Sequence, residues 1–261
     1  MTSRAARASI GVLGAVLLVP GVALADNPPP ASIPSPPAPG APTPKAFHLA
    51  APSRAHGATI ARVIAPTFAR RFVGSTKRSR RVQASTAWSH QPQVLLVLAA
   101  TTRDGRDWIK VRLGDRPNTA AGWIPRDHAR LGHTYYWIEV RRHTRRVTIY
   151  RNGKRVRRFR AVIGKPSTPT PLGLAAVYER NRQPNPHGFL GPWALSLTAH
   201  SNVLDSYGGG PGRVAIHGRA GASLRDPLGS ARSHGCIRIT NTNVSWMAKH
   251  IPPGTPVRIR R

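Results

Sequence analysis

The chain has 261 residues, with 40 Lys or Arg against nine Asp or Glu and a formal net charge of +31. A field of that sign draws polyanions, yet no zinc-finger spacing and no RNA-binding aromatic motif accompanies the arginines, which recur in scattered groups from Arg70 to Arg160, so nucleic acid ranks last among the partners. The single cysteine, Cys236, excludes an intramolecular disulfide and a multi-cysteine metal site.

The chain opens MTSRAARASIGVLGAVLLVPGVALAD: a basic head (Arg4, Arg7), an apolar run from Ala8 to Leu24, and the small-x-small triplet Ala23-Leu24-Ala25. That layout predicts a signal peptide over residues 1–25, cleaved after Ala25, with an uncleaved anchor as the alternative. A secreted, cell-wall or periplasmic location follows. The positive charge then reads as retention by the anionic polymers of a bacterial wall, or as a solvated surface without a partner. Residues 26–58 form a Pro/Ala-rich linker, NPPPASIPSPPAPGAPTPKAFHLAAP from Asn27 to Pro52, which cannot bury a core and should run extended.

Two β regions are expected next, 59–130 and 135–261. In the first, QVLLVLAA (Gln93–Ala100), the Asp104-Gly105 turn signal, DWIKVRL (Asp107–Leu113) and AGWIP (Ala121–Pro125) predict short strands with tight turns, hence a small β-barrel. The DWIKVRL…GWIP pattern loosely resembles bacterial SH3-like domains that precede wall-modifying enzymes. Trp108 and Trp123 read as core tryptophans, with an aromatic ligand groove as the other reading. The second region holds alternating runs at Trp137–Val140 and Val147–Tyr150, an Asn152-Gly153 hairpin signal, a return strand VRRFRAVIG and a terminal strand in GTPVRIRR. Only Asn241–Ile251 reads as helix, with Val244, Met247, Ala248 and Ile251 on one face and Pro252-Pro253-Gly254 as its stop. The protein is expected to be mostly β.

In RVAIHGRAG the two-residue period of a strand turns Val214 and Ile216 to the core and His217 to the other face. In RSHGCIRI the same period turns Ile237 and Ile239 inward, and Cys236 and Arg238 outward, where the thiolate would be exposed. If these strands lie side by side, Cys236 and His217 share a face: a thiolate to attack and an imidazole to carry the proton. His234 is a second candidate partner. Gly235 permits a positive-φ turn that aims backbone N–H groups at a developing oxyanion. Gly218 follows His217, so the bond that fixes the imidazole tautomer must come from backbone, and the pattern fits a Cys/His dyad rather than a triad ending in Asp. The histidines lack zinc spacing; no metal and no cofactor is expected.

IHG (Ile216–Gly218) followed by SHGCIR (Ser233–Arg238) resembles the signature of the L,D-transpeptidases, the YkuD-type catalytic domain. VIGKPSTPTPLG (Val162–Gly173) and GTPVRI (Gly254–Ile259) are similar to further family segments, although Thr-Pro-Thr-Gly of the family reads Thr168-Pro169-Thr170-Pro171 here. The resemblance implies a β-sandwich enzyme with a short C-terminal helix that joins peptidoglycan stem peptides through a thioester. Carried onto this chain, Cys236 is the nucleophile and His217 the proton donor and acceptor. His234, Gly235 and Cys236 supply the oxyanion loop by their backbone, and Ser233 orients that loop or His234. Arg238 and Gly218 stand at the substrate, Arg238 on a substrate carboxylate or in a structural salt bridge. Tetrapeptide stems are the expected donor and acceptor, joined 3→3, and carbapenem-type β-lactams the expected covalent inhibitors. Water as acceptor would give an L,D-carboxypeptidase, a wall protein as acceptor a protein-attaching enzyme, and an inert catalytic domain a non-catalytic wall-binding protein.

Overall fold

The computed structural model describes residues 47–261. The expected signal peptide and residues 26–46 of the linker lie outside the described residues. The first sheet comprises β1 (Ala58–Val63), β2 (Thr67–Arg70), β3 (Arg78–Val82), β4 (Val94–Arg103), β5 (Arg106–Arg112), β6 (Ala121–Pro125) and β7 (Ala129–Thr134). The strands run β3-β2-β6-β5-β4-β1-β7, every neighbour antiparallel, so the expected barrel takes the form of a seven-stranded antiparallel sheet. Asp104 and Gly105 turn β4 into β5 with φ of 52° and 70°, as a two-residue hairpin requires. Trp108 is 5% exposed, beneath the guanidinium groups of Arg70 and Arg106, whereas Trp123 is half-buried under the Lys110 ammonium. Both are packed by cations of their own sheet.

The second sheet holds β8 (Tyr136–Arg141), β9 (Arg146–Arg151), β10 (Lys154–Arg160), β12 (Gly173–Arg182), β13 (Trp193–His200), β14 (Arg213–His217), β16 (Ile237–Arg238) and β17 (Pro256–Arg260), while β11 (Ile163–Gly164) and β15 (Ala231–Ser233) form a separate parallel pair. The order is β10-β9-β8-β17-β12-β13-β14-β16. Asn152 and Gly153, with φ of 50° and 76°, make the β9–β10 hairpin. Helix α1 (Asn241–His250) begins where Thr240 Oγ1 accepts from Asn243 N–H and ends before Pro252, which cannot continue it. Its apolar face, Val244, Met247 and Ala248, with Ile251 after it, enters one core with Leu195, Leu197, Ile216, Ile237 and Ile239. Burying each such large side chain contributes about 1.5–3 kcal/mol, so the helix clamps the inner face of β13, β14 and β16.

The two sheets meet as one body. Ala58 and Leu96 of the first pack with Ala176 of the second, Thr134 Oγ1 lies 3.1 Å from Thr255 Oγ1, and Gly254, at φ +84°, fits so closely that a Cβ there would stand 2.8 Å from Ile60.

Candidate active site

The site forms at the edge of the second sheet because β14 and β16 lie parallel in the register Ile216↔Ile237 and His217↔Arg238. Ile216 and Ile237 are fully buried in the core. The opposite face of the same strands, Ala215, His217, Cys236 and Arg238, lines a cavity of about 730 Å³. The register sets Cys236 opposite Ala215, one strand over and two positions from His217, a diagonal that side chains span. Strand alternation thus brings the expected thiol and imidazole to one surface.

That surface is only partly open to solvent, and Cys236 on it is half-buried. His217 is 1% exposed and Arg238 4%, because the Phe189 ring covers both: its centroid is 6.2 Å from the imidazole and 4.7 Å from the guanidinium. Burial pushes the Cys236 thiol up, against the lowering effect of the Ala215 backbone and the Arg238 charge. Burial likewise pushes His217 down to about 4, more than its bonds to the Gly218 and Leu190 backbone raise it. At neutral pH the pair is therefore thiol and neutral imidazole. Nδ1–H of His217 donates to the Gly218 carbonyl at 2.8 Å, which leaves the lone pair on Nε2. The backbone acceptor expected from the absence of a neighbouring acid is thus present.

Gly218 works through that carbonyl. A Cβ on it would stand 2.4 Å from Asn241 Oδ1, so the close approach of helix α1 requires glycine here. Arg238 makes the structural salt bridge of the two expected alternatives, to Asp226. A buried guanidinium needs such a partner.

The nucleophile turn is tightly specified. Gly235 has φ +119°, a conformation that disfavours any side chain. Ser233 is fully buried; its Oγ donates to the Cys236 carbonyl at 2.6 Å and accepts from Gly235 N–H at 3.1 Å, closing the turn around one hydroxyl. Ser233 therefore orients the loop, and Gly235 N–H is committed to it. Behind the turn, Thr168 Oγ1 donates to the Ser233 carbonyl and Thr170 Oγ1 to the Gly235 carbonyl, at 3.3 and 2.8 Å. His234 stacks on Tyr207, with centroids 5.1 Å apart and Oη 3.3 Å from Nδ1, so its ring faces this tyrosine. Thr168, Thr170 and Tyr207 were not expected as site residues; the Thr-Pro-Thr segment was the only signal for the first two. Among the described residues, no group of three or more His, Cys, Asp or Glu could hold a metal ion.

Residues 135–259 match the family described as the L,D-transpeptidase catalytic domain, YkuD. The YkuD proteins of Bacillus licheniformis and Bacillus subtilis are similar to the chain, 36% identical over 124 residues and 34% over 126. Each alignment covers 48% of this chain, and 65% and 66% of the respective relative, so the chain spans just under two thirds of their length. The crystal structure of an L,D-transpeptidase from Mycobacterium tuberculosis aligns with 65% of this chain and 90% of its own, at 17% identity and a TM-score of 0.42. The matched region contains the strands, the turn and the helix that bring His217 to Cys236. Residues 135–259 of this chain belong to the YkuD family of L,D-transpeptidase catalytic domains.

Proposed function

We propose that the protein is an extracytoplasmic L,D-transpeptidase that forms 3→3 cross-links between peptidoglycan stem peptides through a Cys236 thioester. The observation that carries this reading is the β14–β16 pairing, which gives a thiol and a neutral imidazole one cavity, with the imidazole tautomer held by Gly218. Because burial keeps both groups uncharged at rest, the thiol proton passes to His217 as Sγ bonds to the carbonyl carbon of the third residue of a donor stem. Gly235 N–H is already bonded to Ser233, so the oxyanion falls to the backbone N–H groups of Cys236 and His234. One such donor is worth a factor of roughly 10²–10³ in rate. The imidazolium then protonates the departing D-alanine amine, the C–N bond breaks and the thioester remains. The side-chain amine of a second stem gives its proton to His217, attacks the thioester and releases the thiol.

The thioester conserves the energy of the broken amide, which suits a reaction outside the cell. Export by residues 1–25, a proline-rich spacer and attraction to anionic wall polymers belong to the same reading. A carbapenem would acylate the same sulfur. The test is purified protein with disaccharide tetrapeptide, read by mass spectrometry. Dimers lacking one D-alanine are expected from the natural chain and none from Cys236→Ala. Tripeptide alone would assign an L,D-carboxypeptidase, and an unchanged substrate would overturn the reading.

A further inference from the structure

The far wall of the cleft comes from the other sheet. Ala87, Trp88, Ser89 and Gln91, in the β3–β4 connection, line the same cavity as Cys236 and His217. Three consecutive residues of β12 hold that connection. Tyr178 bonds the Ala87 backbone, Glu179 Oε1 accepts from Ser89 N–H at 3.5 Å, and the Arg180 carbonyl accepts from Gln91 Nε2 at 2.9 Å. Glu179 is only 2% exposed and is bonded also by the Thr86 hydroxyl and Asn181. Losing a partner of a buried charge costs several kcal/mol, so the connection is fixed on β12.

On this base Trp88 is left 63% exposed. Its ring lies against Gly210, where a Cβ would stand 2.6 Å from Cη2. Gly210 belongs to the β13–β14 connection, whose Tyr207 stacks on His234 of the nucleophile turn. A run of contacts, Trp88 on Gly210, Gly210 bonded to Tyr207 and Tyr207 stacked on His234, thus reaches from the β3–β4 connection to the residue two before the thiol. The cavity, at about 730 Å³, has the size that encloses a drug-sized ligand, more of a stem peptide than the two residues at the scissile bond. A rigidly based, solvent-exposed indole in such a cleft gains most when a ligand covers it.

We infer that Trp88 is a substrate-contacting residue that packs on the donor stem peptide away from the scissile bond, which makes the N-terminal sheet a specificity element of the enzyme. The inference rests on the transpeptidase reading above. Steady-state kinetics with disaccharide tetrapeptide test it, beside alkylation by iodoacetamide, which needs only the thiol. Trp88→Ala should raise KM about tenfold, in line with roughly 1.4 kcal/mol of ring contact, with kcat within about twofold and alkylation unchanged. Gly210→Ala, at an ordinary φ, pushes the indole aside and should raise KM alone but add nothing to Trp88→Ala. An unchanged KM in Trp88→Ala, or an equal fall in turnover and alkylation, overturns the inference alone. A natural chain that leaves the tetrapeptide intact overturns the transpeptidase reading, and this inference with it.

Discussion

Thr170→Val tests whether the thiol is positioned from behind. Thr170 is fully buried, and its hydroxyl both accepts from Gly164 N–H at 3.0 Å and donates to the Gly235 carbonyl at 2.8 Å. Valine keeps the volume and the branch but leaves one buried donor and one buried acceptor without a partner, at about 1–3 kcal/mol each. Relaxation of the turn recovers part of that, and a net loss of about 3 kcal/mol is expected, a Tm fall of roughly 6–12 °C for a body of this size. The second consequence is chemical. Gly235 is held at φ +119° from its N–H by Ser233 and from its carbonyl by Thr170, so the freed peptide can turn and carry the Cys236 N–H with it. A displacement of about 1 Å at a reacting group costs roughly 10² in rate. Thr170→Ser keeps the hydroxyl and should acylate close to the natural rate, with about 1 kcal/mol lost to the missing methyl. The assay is a time course of imipenem acylation by intact mass, beside a thermal melt. A valine variant that acylates at the natural rate, or a serine variant that fails as badly as valine, would refute the positioning role.

Acid should destabilise the fold through His217 and His200, both held at about 4 by burial first of all, against an ordinary 6.5. Between those values the unfolded chain binds more protons than the folded one, so stability is full above pH 6.5, falls as pH drops and is lost by about 4, at about 1.4 kcal/mol per pH unit for each histidine. Urea unfolding at several pH values checks this, and an unchanged pH slope in His200→Gln would contradict it. Asp226→Asn leaves the buried Arg238 charge without its ion pair and should cost about 3–5 kcal/mol, more than the double variant Asp226→Leu/Arg238→Met, read by urea midpoints. Gly235→Ala meets no atom closer than 3.9 Å, so its penalty is backbone strain alone, about 1–3 kcal/mol. Acylation should fall further than the melting temperature accounts for; full activity would mean that the turn tolerates a side chain.

What could be counted along the chain was what a local rule decides. The period of two through RVAIH and CIRI brought His217 and Cys236 to one face, and Asn152-Gly153 and the 241–251 periodicity gave the hairpin and the helix, because alternation and turn chemistry act between near neighbours. What covers that face is set by distant segments. Phe189, Leu190 and Asp226 close over His217 and Arg238, so the imidazole is buried beside a half-buried thiol whose pKa burial raises. Thr168 and Thr170 reach bonding partners 65 positions away, and no spacing encodes that. The close approach of Asn241 to Gly218 is likewise a contact between segments distant in sequence.

In a chain with nine acids, the informative positions are the acids. Glu139, 4% exposed, accepts from Arg141 and lies 2.8 Å from Arg260, tying β8 to β17 where these strands run parallel. Glu179 fixes the N-terminal connection on β12, and Asp226 holds the arginine beside the imidazole. Asp226 sits where a positive charge would otherwise be buried alone, Glu179 where a loop would be left unanchored, and Glu139 is itself the buried charge, held by two half-exposed arginines. Burial pushes the Glu139 carboxyl up, but its arginine partners outweigh that and hold it below the ordinary carboxylate range, so it stays ionised at neutral pH. Neutralising Glu139 with glutamine should therefore loosen β17, the strand through which β8 connects to β12 and so to the strands that carry the site.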